Sequence, residues 1–349
     1  MKNPFDFKIF SDCGAPSLYN KLSRKTDHKG IMGTKFTERK YDDFSYTESE
    51  EYAQYRADYI QFLLENKDKI DYYSNLDVIN NPQLTHHNQK IIEAAGLTPI
   101  PVFHLGSPEK WLDKYVNEYE YIALGGLVPN PTKVLIPWLD KLFREHILDK
   151  DGFPKVKVHG FACTALPLMT RYPWYSVDSA TCRKLAMYGW IALPDYSNTP
   201  KLFTMQVSSR DIKLSHRLGG STNSEKTREL ERRAQKQGTS IIELSDSIIK
   251  RVIWNYLAFS EKIQRNVPDW PWSMTTGKSK KGADEYLTFY FAGSLSKKEE
   301  DIFWKGVSKE DVSKLKGRLQ SFFYRGNLEH VIYLKNQDYG KKEVLKRKT

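Results

Sequence analysis

Two carboxylates stand where the sequence leaves room for chemistry. Asp12 lies in "IFSDCGAPS" and Asp178 in "YSVDSATC"; each ends a run of β-like residues and is followed by small ones. A half-buried strand gains nothing by ending on an acid. Paired carboxylates across one pocket can divide the labour of glycosidic chemistry, one attacking or stabilising the anomeric carbon while the other moves protons. The plainer alternative is that Asp178 caps the helix after it and Asp12 orders a turn. On sequence alone both stand.

Other chemistries find less support. His86 and His87 are adjacent, and neighbours on a helix point about 100° apart, so they do not chelate one ion as a pair. No His-x-x-x-His or Cys-x-x-Cys occurs, and His159 reads as a satisfied core residue. The three cysteines, Cys13, Cys163 and Cys182, are odd in number and far apart, which suits reduced thiols. Cys182, four residues past Asp178, reads as a small buried thiol. The expectation is a site without metal or other cofactor.

Positioning these acids falls to short β-like runs at 6–12, 71–79, 98–105, 121–126, 155–161, 174–179 and 188–194. Helix candidates lie between them at 49–68 and 83–95, the second closed by Gly96. Ser107 before Pro108 and Asn130 before Pro131 read as caps opening two more. The alternation argues for a mostly parallel sheet covered by helices. No Gly-rich phosphate turn follows the first strand, which lowers a dinucleotide-binding reading. Polar or small residues recur instead at the strand ends: Asp12, Asp77, His104, Gly125 with Gly126, and Asp178. A closed (β/α)8 TIM barrel would bring them to one face, and that α/β fold is the expectation. Seven strands are counted; the eighth is sought in 31–46 or after residue 201.

The core is expected over 1–215. Past it the composition turns helical and basic, with amphipathic stretches at 224–237, 240–264 and 308–326 around the loop "TTGKSKKGADE". The C-terminal region, 216–349, is expected to pack on the barrel or complete it. With 54 Lys+Arg against 43 Asp+Glu, the chain carries +11, a field that attracts polyanions such as nucleic acid. The start "MKNPFDFKIF" has no apolar run of secretory-signal length, so a cytoplasmic protein is expected.

The order of "SDCGAPS", "NLDVI", "PVFHLG", "YIALGGLV" and "YSVDSAT" over roughly residues 5–210 resembles the tRNA-guanine transglycosylase superfamily. It looks most like the DNA-acting 7-deazaguanine transglycosylases of bacteria and their phages. The resemblance implies that Asp178 is the nucleophile, forming a covalent glycosyl-enzyme, and that Asp12 does acid/base work. It further implies that Asp77 binds the guanine edge, that Gly125, Gly126 and Leu127 present backbone groups to the base, and that His104 contacts it. The implied reaction exchanges guanine in DNA, or alternatively in tRNA, for a 7-deazaguanine base, with no cofactor consumed. A catalytically silent nucleic-acid-binding barrel is the other alternative.

Two departures stand out. The family's zinc set of three cysteines and a histidine has no counterpart after Cys182, and Cys13 replaces the usual Ser after the first-strand acid. A base in a duplex must be flipped out before such chemistry. Lys278, Lys280 and Lys281 are candidate phosphate contacts, with Trp270, Trp272, Tyr286 and Tyr290 as candidate stacking residues.

Overall fold

The structure is a computed structural model and describes residues 8–22, 44–128, 130–163, 165–194, 202–208, 225–236, 238–293 and 321–324. It is mixed α/β around a central parallel sheet. The sheet strands are β1 (Lys8–Ser11), β2 (Tyr72–Tyr73), β3 (Val102–His104), β4 (Tyr121–Gly125), β5 (Lys157–Gly160), β6 (Ser176–Ser179), β9 (Thr288–Gly293) and β10 (Ser321–Tyr324). They pair in the order β2-β1-β10-β9-β6-β5-β4-β3, every pair parallel.

The sheet curls. Tyr72 and Tyr121 meet edge to face with ring centroids 5.2 Å apart, although six strand steps separate β2 from β4 in the sheet order. In a flat sheet that separation would be about 29 Å at ~4.8 Å per strand. Phe10 on β1 likewise stacks on His159 of β5, centroids 4.5 Å apart, four steps away. At the two edges a parallel bridge joins Ser74, just past β2, to Ile100, just before β3.

Period-two alternation sorts the strand residues between two cores. Phe10, Val102, Tyr121, Ala123 and Tyr290 form an inner cluster with Ile100 and Tyr175. Ile9, Phe103, Ile122, Leu124, Val158, Val177 and Phe289 turn outward and pack in the larger cluster with residues of the surrounding helices, such as Leu63, Ile92, Leu112, Leu139 and Phe259.

The helices begin and end for local reasons. Helix α1 is Ala15–Leu22. Helix α2 (Glu50–Asn66) starts at Ser49, whose side chain accepts from the Tyr52 N–H, with Glu50 and Glu51 near the positive end of the helix dipole. Helix α3 (Pro82–Ala94) is capped by Asn81 and closed by Gly96 at φ +81. The two other expected caps do something else. Ser107 closes a turn onto the His104 carbonyl, and α4 (Lys110–Glu118) starts after Glu109. Asn130 donates its amide to the Gly126 carbonyl, and α5 (Thr132–Leu142) starts after Pro131.

Beyond β5 come α6 (Leu166–Arg171) and α7 (Thr181–Met187). The seventh expected strand is β7 (Trp190–Pro194), and it stands outside the parallel sheet: it pairs antiparallel with β8 (Leu202–Gln206) as a separate hairpin. Alternation marks a strand but carries no information about its partner. The remaining places in the sheet go to β9 and β10 instead, so the sheet draws on residues either side of 215. Residues 31–43 of the other stretch searched lie outside the described residues, and Ser45–Glu48 is a 3-10 turn. Ser321–Tyr324 was expected to be helical and is a strand; the rest of 308–326 lies outside the described residues.

Helices α8 (Glu225–Lys236), α9 (Ile241–Asp246) and α10 (Ile248–Asn266) follow the hairpin. Ser247 interrupts the expected single helix and caps α10 with its side chain. Buried Asn255 ties α10 to the hairpin: its Oδ1 accepts from the Ala192 N–H, and its Nδ2 donates to the Cys182 and Trp190 carbonyls. No helix among the described residues is long and apolar enough to cross a membrane.

Asn255→Ala removes all three of these bonds and leaves their partners buried. It is expected to cost about 2–4 kcal/mol, read as a lower urea midpoint at unchanged slope.

Candidate active site

Because the strands run parallel, their carboxyl ends share one side of the sheet. Alternation continues the inner row of β1 from Lys8 and Phe10 to Asp12, and that of β6 from Ser176 to Asp178. On β3 and β4 it ends at His104 and Gly125. Four of the acids, bases and glycines singled out in the sequence therefore belong to one end of one face.

Asp178 is buried at this end, in register with Tyr290 on β9. It does not cap the following helix: Ala180 holds the N-cap position of α7 without a side-chain bond, and Ser179 Oγ accepts from the Thr181 N–H. Instead Asp178 Oδ1 accepts from the Ala162 backbone N–H at 2.6 Å. Ala162 sits at φ +53, a conformation that costs a non-glycine residue about 1–2 kcal/mol. That turn after β5 aims an N–H at the carboxylate. His159 Nε2 lies 3.4 Å from the same Oδ1, too poorly aligned for a hydrogen bond. Among the described residues, Oδ2 has no hydrogen-bond partner. One oxygen is anchored and the other is left available.

Asp77 lies in the loop after β2 and is held from two sides. Cys13 Sγ donates to Oδ1 at 2.9 Å, and His104 Nε2 stands 2.9 Å from Oδ2. The glycines explain the closeness: a Cβ on Gly125 would lie 2.7 Å from His104 Cδ2 and 3.0 Å from its Nε2. Gly126 takes φ +76 to turn the chain, and Leu127 is buried behind it. Helix α2 braces the two loops, Tyr55 Oη donating to the Cys13 carbonyl and Tyr59 Oη to the Ser74 carbonyl. Asp12, half-buried, stands next to Cys13 at the end of β1.

The Cys13 thiol is held well above its ordinary pKa, first by burial and then by the negative charges of Asp77 and Asp12. Burial also raises the Cys163 and Cys182 thiols. All three are free and buried in different segments. Among the described residues, the group that could hold a metal is Glu109, Glu145 and His146. It contains no cysteine, and Glu109 already pairs with Lys141 and His146 with Asp113. These residues do not fit the zinc set of three cysteines and a histidine.

The basic loop does not join the acids. Lys278, Lys280 and Lys281 are exposed, on a segment whose Ser273 donates to the Asp151 carbonyl and whose Trp270 donates to the Pro173 carbonyl. Those carbonyls precede β5 and β6, so the loop lies at the amino end of the strands, opposite Asp178. Trp272 and Tyr290 are buried, and Trp270 packs edge-on against Tyr175. Buried, Trp272 and Tyr290 are not free to stack on bases, while Trp270 is half-buried.

Sequence reasoning passed over His159, taken as a satisfied core residue, together with Tyr121 and Ser176. Its Nδ1 is indeed bonded, to Ser176 Oγ at 2.6 Å, and Ser176 Oγ is 2.5 Å from Tyr121 Oη. The available signal was parity: His159 occupies the inner row of β5 one residue before its carboxyl end.

Two outcomes test this geometry. With thiol pKa values raised by burial, the thiolate fraction is negligible at neutral pH, so a disulfide reagent should label no cysteine in the native protein and three after denaturation. Gly125→Ala should push the His104 ring off Asp77 and cost about 1–3 kcal/mol, visible as a shifted His104 ring signal and a lower melting temperature.

No family model matches the chain, and neither a curated protein nor a solved structure matches it. What the site can do rests on its own geometry.

Proposed function

We propose that the curled sheet is a closed (β/α)8 TIM barrel whose carboxyl-end mouth exchanges guanine in DNA for a 7-deazaguanine base. The Ser74–Ile100 bridge between the two edge strands supports closure. The observation that carries the function is Asp178 itself, a buried carboxylate with Oδ1 anchored by the Ala162 N–H and Oδ2 unengaged among the described residues.

In this reading Oδ2 attacks C1′ of a flipped-out nucleotide. The C1′–N9 bond breaks, its electron pair goes to the departing guanine, and Asp12 supplies the proton the base needs. A 7-deazaguanine then enters, loses its N9 proton to Asp12, and attacks C1′ from the side the guanine left. The bond from C1′ to Asp178 breaks and the carboxylate is restored. Two displacements retain the anomeric configuration.

The base edge would meet Asp77. Guanine and 7-deazaguanine share donors at N1 and N2, and a carboxylate has about four lone-pair sites; Cys13 and His104 take one each and leave two. Gly125, Gly126 and Leu127 leave the backbone open beside the acceptor O6. The net charge of +11 favours a polyanionic partner. With Lys278, Lys280 and Lys281 at the far end of the strands, groups at the mouth would have to hold the phosphates next to the reacting sugar.

Incubation with a preQ0-type base and either DNA or tRNA, followed by nucleoside mass spectrometry, tests the reading. Incorporation into DNA is expected. Asp178→Ala should abolish it, and Asp12→Asn should slow it about 100-fold or more. Incorporation into tRNA alone would move the substrate to RNA; tight binding without incorporation into either would leave a silent binding barrel.

A further inference from the structure

We infer that His159 is a positioning residue for Asp178, held as its Nε2–H tautomer by a hydrogen-bond chain that runs from Tyr121 through Ser176. As a role in catalysis, this rests on the exchange reading above; as a statement about the side chains, it does not.

The direction of the chain follows from its ends. Tyr121 Oη is buried, and among the described residues its hydrogen-bond partner is Ser176 Oγ, at 2.5 Å. Burial raises the phenol pKa far above neutrality, so Tyr121 keeps its proton. Were Ser176 to donate to Tyr121, the phenol proton would have no acceptor in the interior, which costs about as much as a lost hydrogen bond. Tyr121 therefore donates to Ser176, and the Ser176 hydroxyl proton goes to His159 Nδ1 at 2.6 Å. With Nδ1 accepting, the ring proton sits on Nε2.

That proton faces Asp178. Nε2 is 3.4 Å from Oδ1 and buried, and among the described residues it has no hydrogen-bond partner. The ring is stacked on Phe10, with centroids 4.5 Å apart, and Phe161 and Tyr290 stand edge-on to it at 4.6 and 5.9 Å. These aromatic walls hold the ring plane, so Nε2–H and Oδ1 come into alignment by a small movement of the carboxylate. Oδ1 then has two donors, the Ala162 N–H and His159 Nε2–H. Both hold the oxygen that does not attack, which turns Oδ2 toward the mouth and leaves it the more nucleophilic of the two.

Nitrogen-15 spectra of the histidine rings and steady-state exchange kinetics test this together. For His159 an accepting Nδ1 and a protonated Nε2 are expected, with the Nε2 signal moving in Asp178→Asn. Ser176→Ala should lower kcat about 10- to 100-fold with KM changed less than twofold. His159→Gln, which keeps a donor near Nε2, should retain more turnover than His159→Leu. A protonated Nδ1 in the wild-type protein, or full turnover by a folded His159→Leu, overturns the inference. Should the wild-type protein exchange no base at all, the exchange reading falls while the spectra still decide: an Nε2 signal indifferent to Asp178→Asn overturns the positioning role, and a responsive one upholds it.

Discussion

The stack of Phe10 on His159 depends on a constraint that organises the rest of the molecule. Side chains four strand steps apart touch only if the parallel sheet curls until its inner face meets itself. Once it does, alternate residues of β1, β3, β4 and β9 are committed to one inner cluster, and the last inner residues of β1, β3, β4 and β6 are delivered to the same end. Lys8, Tyr72, Tyr121 and Tyr175 fill the amino end; the rings of Phe10, His159 and Tyr290 fill the middle. The carboxyl end is left to Asp12, Asp178, His104 and Gly125.

Burying a carboxylate there is costly unless it is hydrogen-bonded. Asp178 meets that demand with one backbone N–H supplied by a strained alanine; Asp77 meets it with a thiol and an imidazole. The two acids are thus supported differently. Asp178 keeps one oxygen unengaged among the described residues, whereas both oxygens of Asp77 are held. Glycine at 125 is what lets the His104 ring lie close enough to take part.

Charge and chemistry are separated along the strand axis. The lysines of the 275–285 loop sit at the amino end and the carboxylates at the carboxyl end, with the aromatic interior between them. A polyanion drawn to the loop would still have to reach the carboxyl-end acids by another surface, so the loop's field belongs to long-range attraction.

Much of this was legible in the residues. Alternating runs marked the first six strands of the sheet, Gly96 marked a helix end, and the polar residues ending those runs marked one face, because local sterics and period-two geometry act within a few residues. Partner choice was not legible: 188–194 alternates as well as any strand yet pairs with Leu202–Gln206, and 321–324 reads as helix yet completes a parallel pair beside β1. Nor could any local pattern reveal that Cys13 and His104 clamp Asp77, or that Tyr121 and Ser176 reach His159 and through it Asp178. Those contacts join residues 17 to 64 positions apart, and only the curling of the sheet, a property of all its strands at once, brings them within reach of one another.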